Sequence, residues 1–441
     1  MVRSVTTSTE GLYNLPALPP GNFEMTVSAA GFVSQVWSGI TVAVGSDRVL
    51  NVTMSAGNPQ TITRSVAPAA SLSQNSACCG GNVNAAAVQS TPLNGRDWTQ
   101  LATLQAGVTG VQTGNSQGGG NTERGFGAAM SISGARPDQN NFRVDGISIN
   151  DYANGAPGSV LGDSLGVDAV EQVSVLGSNY PAEYGRTSGG IINAATRSGT
   201  NSFHGSLYEF LRNSAFDARN FFDAAIPPFK RNQFGGSIGG PIQKERTFFF
   251  VDYEGLRQSL GVTTIDTMPS PAARVGNLCS IPTGVTPACT STSVAVDPSV
   301  ARFLAAFFPL PNGPLLGNGD TGIFSFAGQP GTNENYVTTR IDQKLSQHDS
   351  LSGTYMHDNS RTVQPDAFNS VLSNVVSTRQ FAVLHEAHVF SPRSLNAARF
   401  GFNRAVAADG GITKILNPLL EDASFGFIPG QLPGSILRGN Q

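Results

Sequence analysis

Two short runs in this chain carry the residue types of catalytic motifs. His385-Glu386-Ala387-His388 sets two imidazoles around a carboxylate. Zinc-peptidase chemistry needs H-E-x-x-H, so that both histidines leave one helical face at i and i+4 with the glutamate as base. Here the spacing is one residue short, and on a strand His385 and His388 point to opposite faces. Gly235-Gly236-Ser237-Ile238-Gly239 matches the G-x-S-x-G nucleophile elbow. That motif needs a strand–turn–helix context to strain and expose its serine. This segment instead continues as an alternating strand toward a hairpin, so a hydrolase centred on Ser237 is a distant reading. No P-loop is present, and Gly125-Phe126-Gly127 lacks the third glycine of a dinucleotide loop. No catalytic residue, metal ligand or cofactor is expected.

The four cysteines are read by context. Cys279 and Cys289 lie in a Pro- and Thr-rich loop, where they either close a small disulfide in an oxidising compartment or stay as two thiols. Cys78-Cys79 are adjacent, which bridges poorly and fits no zinc spacing.

The elements that carry these runs are strands. Phe234, Gly236, Ile238, Gly240 and Ile242 alternate with Gln233, Gly235, Ser237 and Gly239, giving one apolar and one small or polar face. After the charged turn Gln243-Lys244-Glu245-Arg246 the chain returns through Thr247 to Glu254. Pairing Ile242 with Thr247 sets Gly240 opposite Phe249, Ile238 opposite Val251 and Gly236 opposite Tyr253. Rings are then expected over cross-strand glycines on the apolar face, with Asp252 and Glu254 beside Ser237 and Gln233 on the other. A later hairpin follows the same logic. With Phe390 paired to Leu395, Phe381, Val383, Ala387 and Val389 share a face with Ala398, Phe400 and Phe402, and Glu386 meets Arg399 on the lumen side.

Composition leaves a membrane barrel open. Of 441 residues only 13% are charged and 51 are glycine, the net charge is −3, and no apolar run reaches the ~18 residues of a helical span. There is no basic field for nucleic acid. Alternating strands, which hydropathy scans miss, remain as the way to cross a bilayer. From 203 to 441 short turns (243–246, Ser346 to Ser350, Ser391 to Ser394) alternate with long connections (212–232, 256–335, 359–378), the layout of an outer-membrane barrel. About seven strands are expected.

Upstream, residues 1–56 read as short strands of a small β-sandwich, with Phe23, Met25 and Val27 alternating before Gly31. Residues 57–90 read as a linker whose Gln60 to Val66 run could add as a strand to a partner's sheet edge. Residues 91–200 read as an α/β unit. Asn94 or Asp97 starts a short helix through Trp98, Leu101 and Leu104, a second helix spans Ser164 to Val170, and a strand covers Glu171 to Leu176.

Particular motifs then carry a family resemblance. The run SxEGLYNLPALPPGNFEMTVSAAGF resembles the carboxypeptidase regulatory-like domain, a transthyretin-like sandwich, of which only the later strands are covered. PLNGRDW, RGF, SGARPDQNNFRVDGI, DAVEQVSVLGSNYPAEYGRTSGGIINAATRSGTN and FHGSLYEFLRN resemble the plug and first barrel strand of TonB-dependent outer-membrane receptors. The Oar-like branch, with the regulatory-like domain in front, is the nearest pattern. The resemblance implies a mainly β chain: a partial sandwich (1–56), a linker with an energy-coupling segment (57–90), a plug (91–200) and the first strands of an incomplete barrel (201–441). Family barrels have 22 strands around a plugged lumen, so the start and the end of the gene are expected beyond this chain.

It also implies location in the outer membrane with the N-terminal domain in the periplasm, a TonB energy-transducing complex as partner, surrounding lipid, and an unknown small-molecule, glycan or peptide ligand. A surface binding or adhesion protein without active transport is the alternative. Ligand contact is expected from the plug loops at Asn115, Gln117 and Asn121 and at Asn150, Asp151, Tyr152 and Asn154, with Phe221, Phe222, Phe229 and Lys230 as further loop residues. Arg124, Arg136, Asp145, Glu183 and Arg197 are expected to hold plug to barrel through buried polar contacts.

Overall fold

The computed structural model describes residues 4–15, 18, 21–42, 48–57, 61–65, 80–111, 127, 129–177, 180, 182–218, 226, 228–280, 290–391, 394–426 and 431–433. At the N-terminus, strand β1 (Gly21–Val27) pairs antiparallel with β2 (Ser34–Val42). Residues 48–57 run back along them: Tyr13 Oη donates to the Leu50 carbonyl (2.6 Å) and Gln35 Nε2 to that of Thr53 (2.8 Å). A third strand, β3 (Thr61–Ser65), lies parallel to β2 at the end of the sheet.

The plug is a five-stranded mixed sheet of β4 (Gly80–Val83), β5 (Asn141–Val144), β6 (Ile147–Ser148), β7 (Val170–Leu176) and β8 (Ile191–Thr196), in the order β4-β7-β8-β5-β6. It begins earlier than the linker boundary expected from composition. Gly80 to Val83 pair with Leu176 to Val173. A helix follows over Ala85–Ser90, capped by Asn84, and buries Val88. Four Gly-rich residues are too few to show a period. Asp145 and Gly146 both take positive φ (48° and 84°), which closes the tight β5–β6 hairpin. The helix expected after Asp97 is a 3-10 helix, Trp98–Leu104, burying Trp98 and Leu101 while Leu104 stays exposed. The second shrinks to the turn Val167–Ala169.

Seven antiparallel strands build the barrel wall: β9 (His204–Asn213), β10 (Phe229–Gln243), β11 (Thr247–Leu260), β12 (Gly331–Lys344), β13 (Asp349–Pro365), β14 (Val371–Ser391) and β15 (Ser394–Ile415). Each pairs with its chain neighbour, and the sheet is open at β9 and β15 among the described residues. Strands of 14 to 22 residues from β11 onward exceed the ~9–11 needed to cross a bilayer at a tilt, so their ends project beyond it. No helix among the described residues is long and apolar enough to cross a membrane.

The β10–β11 register is the one the pattern dictates: Gly240 faces Phe249, Ile238 faces Val251 and Gly236 faces Tyr253. Only the closing pair differs, because Gln243 rather than Ile242 meets Thr247 across a local irregularity. The glycines are covered from the other neighbour. A Cβ on Gly236 would lie 2.4 Å from Leu207, and one on Gly240 2.4 Å from Phe203, both next to or on β9.

The β14–β15 hairpin corrects the sequence reading. Val389, not Phe390, faces Leu395, with a register shift before Ser391. A slip of one residue sets β14 against the opposite face of β15. Phe381 and Val383 therefore point inward into the plug core, while Phe400 and Phe402 are exposed on the outer surface with Leu384. Glu386 faces Ala398, and His385 takes the place opposite Arg399.

The long β11–β12 connection is itself folded. Its strands Val262–Pro269 and Thr321–Gly328 pair, and the helix Pro298–Phe307 packs Phe303 and Phe307 against Leu420 and Phe425 beyond β15. Cys279 is in a disulfide; Cys289, Cys78 and Cys79 lie outside the described residues.

Candidate functional site

The plug sits against the inner face of the wall, and the contact is built from opposite charges. The inner face buries four carboxylates: Asp252, Glu254, Glu334 and Asp358. Arg96 of the plug comes to Glu254, and Arg379 of the wall lies near Asp358. In the plug, Gly95 (φ 77°) and Arg96 (φ 57°) take consecutive left-handed conformations that turn Arg96 out toward the wall. Its Nε stands 3.0 Å from Glu254 Oε1, its Nη2 stands 3.1 Å from Asp168 Oδ2, and its guanidinium lies 3.9 Å above the Tyr208 ring of β9.

Glu254 is fully buried and its oxygens are shared between the two domains. Oε1 accepts from Gln233 Nε2 (2.7 Å), which also donates to the Gly95 carbonyl (3.0 Å). Oε2 accepts from the Gly166 backbone N–H (3.0 Å). A buried carboxylate is tolerated when charge-assisted bonds of this kind surround it. Gly166 has φ 89°, and a Cβ there would fall 2.2 Å from the Tyr336 ring of β12. Only glycine fits.

A second contact centres on Asp145. Its carboxylate accepts from the Thr196 N–H (2.9 Å) and hydroxyl (2.6 Å) within the plug and from Thr354 Oγ1 (3.0 Å) of β13. Arg340 of β12 lies 3.6 Å away and donates to Thr196 Oγ1 (2.8 Å). A third uses buried Arg379 of β14, which donates to the carbonyls of Gly158 (2.9 Å), Ile149 (3.2 Å) and Ala156 (3.3 Å). Asn403 Nδ2 donates to the Asn150 carbonyl (2.8 Å), and the Val160 N–H donates to Ser360 Oγ (3.1 Å). Phe381 and Val383 complete the plug core from the wall side.

Two plug carboxyls are perturbed. Burial pushes Asp97 up to about 7 with the nearby Asp163 charge adding to it, although Thr99 donates its N–H and hydroxyl to Oδ1. Burial also pushes Asp163 up to about 6, against the pull of Arg231, 3.4 Å away on β10.

Of the residues expected to join plug and barrel, Asp145 does so directly. Arg197 pairs with Glu171 inside the plug (3.1 Å) and reaches the wall by lying 6.0 Å over the Phe250 ring. Arg136 is a correction: it is exposed at the start of the turn Pro137–Gln139 and makes no ion pair among the described residues. Arg124 and the Glu183 side chain lie outside the described residues. Arg96, Gly166, Arg340 and Arg379 were missed. Gly95-Arg96 did stand in the PLNGRDW motif, whereas the carbonyls that Arg379 binds leave no local signal.

Among the loop residues, Asn115, Gln117, Asn121, Phe221 and Phe222 lie outside the described residues. Asn150 bonds Phe142 N–H and the Asn140 and Asn154 carbonyls, Asp151 bonds the N–H groups of Ala153 and Gly155, and Asn154 bonds the Asp138 and Asn140 carbonyls. These three side chains shape the loop. Tyr152 is 91% exposed and projects from it. Phe229 lies under Arg212 (4.7 Å), and Lys230 is exposed.

The catalytic look-alikes have structural roles. Ser237 Oγ shares a hydrogen bond with Ser206 Oγ (3.0 Å), and no histidine bonds to it among the described residues. His385 faces the lumen and His388 the outside. Asp349, Glu386 and His388 converge closely enough to ligate an ion, but His388 Nδ1 is already paired with the Asp349 carboxylate.

Comparison with known proteins matches three regions. Residues 195–439 match the outer membrane beta barrel domain, 83–191 the TonB-dependent receptor plug domain and 1–55 the carboxypeptidase regulatory-like domain. The TonB-dependent transporter Oar of Myxococcus xanthus is 27% identical over 267 residues, 57% of this chain and 23% of that one. A probable TonB-dependent siderophore receptor, PirA of Acinetobacter baumannii, is 31% identical over 141 residues, 30% of this chain and 17% of that one. Among solved structures, the outer membrane transporter YddB of Escherichia coli aligns with TM-score 0.47 at 13% identity, over 76% of this chain and 40% of that one. The ferric enterobactin receptor PfeA of Pseudomonas aeruginosa aligns with TM-score 0.38 at 13% identity, over 75% and 45%. The chain thus spans about a quarter or less of the curated relatives' length.

Proposed function

Since the chain belongs to the outer-membrane β-barrel family, as an Oar-like TonB-dependent receptor with a plug against its wall, we propose that it is part of a transporter that takes a ligand across the outer membrane. The observation that carries this reading is the interface just described. The plug is fixed to the wall by buried, charge-assisted contacts around Glu254, Asp145 and Arg379, set beside apolar ones where Phe381 and Val383 enter the plug core and Leu165 meets Leu256 and Tyr336. Such contacts hold a closed state firmly yet break as discrete units when force is applied.

In this reading a periplasmic TonB complex draws on residues 57–66 and loosens the plug after ligand has bound at the outer face. Among the described plug residues Tyr152 is the best placed for ligand contact, since its loop is held by hydrogen bonds and its ring is exposed. The folded 256–335 connection is a second contact surface. The ligand is a small molecule, glycan or peptide.

The test is uptake by cells making the full-length receptor, with and without residues 57–66. The probes are a panel of labelled ferric siderophores, cobalamin, oligosaccharides and peptides. Uptake of one probe that disappears with the deletion supports transport. Surface binding of a probe that never enters, unchanged by the deletion, assigns adhesion instead.

A further inference from the structure

The coupling segment is not a free tether. Within 57–66, residues Thr61–Ser65 form β3 and pair in parallel with β2 of the N-terminal sheet: Ser34 with Thr61, Gln35 with Ile62, Val36 with Thr63, Trp37 with Arg64 and Ser38 with Ser65. The Arg64 guanidinium lies 5.6 Å from the centre of the Trp37 ring. We infer that the N-terminal domain holds the coupling segment in cis as its own edge strand, so that a periplasmic partner must take the segment from β2 before it can pull.

The chemistry of the contact fits a reversible hold. An extended segment is recognised through its backbone N–H and C=O groups, and β2 offers the same ladder that a partner's sheet edge would offer. The pairing is short and parallel, which is the weaker kind. Side chains from Thr61 to Arg64 are exposed, with Ile62 45% exposed, so little apolar burial strengthens it. One cation–π contact, Arg64 over Trp37, adds a small hold. Residues 61–65 are thus held at rest through their backbone, and their release needs only a modest competitor. The N-terminal domain would act as a threshold on energy coupling, lowering the partner's apparent affinity by the fraction of time the segment is docked. This inference rests on the coupling role given to 57–66 above.

The test uses the whole receptor with Ser34→Cys and Thr61→Cys. Paired residues on adjacent strands have Cα atoms about 5 Å apart, inside the range a disulfide spans. The expected result is a 34–61 disulfide on mild oxidation, identified by peptide mapping. Binding of a purified TonB C-terminal domain should then fall about tenfold or more, and return on reduction. Failure to cross-link, or unchanged binding when cross-linked, overturns the inference. Amide exchange on the unmodified receptor guards against a folding artefact: slowed exchange within 61–65 supports docking, and coil-like exchange throughout overturns it. A coupling failure reads differently. If deleting 57–66 leaves TonB-domain binding intact, the coupling role falls while cross-link and exchange still report docking.

Discussion

Arg96 of the plug and Glu254 of the barrel wall meet at 3.0 Å in a site where Glu254 is fully buried, and the same carboxylate also accepts the Gly166 backbone N–H. One wall residue thus clamps two separate plug segments, 70 residues apart in the chain. Removing Arg96 leaves the Glu254 charge buried without its cation, whereas removing Glu254 leaves Arg96 still paired with Asp168. Arg96→Met should therefore loosen plug from wall by about 3–5 kcal/mol, and Glu254→Leu by less. Amide exchange of the plug in the full-length receptor checks this, with faster exchange at Gly166 in both variants. The double variant should cost less than the sum of the two singles.

Gly166→Ala should act at the same place without touching charge. The residue would need a left-handed backbone and room now filled by Tyr336. Strain at such a position is of order 1–3 kcal/mol. Urea titration of plug release should shift to lower concentration, and Tyr336→Ala should restore only part of it because φ is unchanged.

Acidic conditions should tighten the plug core at Asp97. Its folded value of about 7 lies above the ordinary 3.8, so the folded plug binds the proton more strongly than the unfolded chain does. That contribution is complete below about pH 4 and is lost as pH rises through about 7. Asp163, raised to about 6, adds a loss of the same sign. Exchange-derived plug stability should fall between about pH 4 and 7 and level off above, and Asp97→Asn should flatten that slope. An unchanged slope would contradict the assignment.

The β14–β15 register makes a test that separates faces. Phe400 is 73% exposed on the outer surface and Phe381 is 1% exposed inside. With tryptophan at one of these sites in turn, brominated lipid should quench the Phe400→Trp signal and spare Phe381→Trp. Quenching of both signals would restore the register read from sequence, which sets the two rings on one face. Phe400→Arg should also destabilise the inserted barrel by about 2–4 kcal/mol if the site is near the midplane.

That register shows where the sequence was legible and where it was not. Alternation fixed the β10–β11 pairing from Gly240 and Phe249 to Gly236 and Tyr253, because both strands keep one strictly apolar face. In β14 the inner face is apolar too, since Phe381 and Val383 enter the plug core, so alternation could not tell inside from outside. Plug boundaries failed for a similar reason: β4 is four residues long and gains its identity from β7. Asp145 was legible because its turn with Gly146 reads locally. Arg96, Gly166 and Arg379 act through partners 158, 88 and more than 220 residues away, which no local pattern encodes.

The most direct test of plug-gated transport locks the plug where Thr196 Oγ1 and Thr354 Oγ1 lie 3.4 Å apart. Thr196→Cys with Thr354→Cys in the full-length receptor should form a plug–barrel disulfide. Uptake of the accepted probe should stop on oxidation and resume on reduction, while surface binding persists. Undiminished uptake through the locked receptor would mean that the ligand passes without releasing this contact, and would contradict the account.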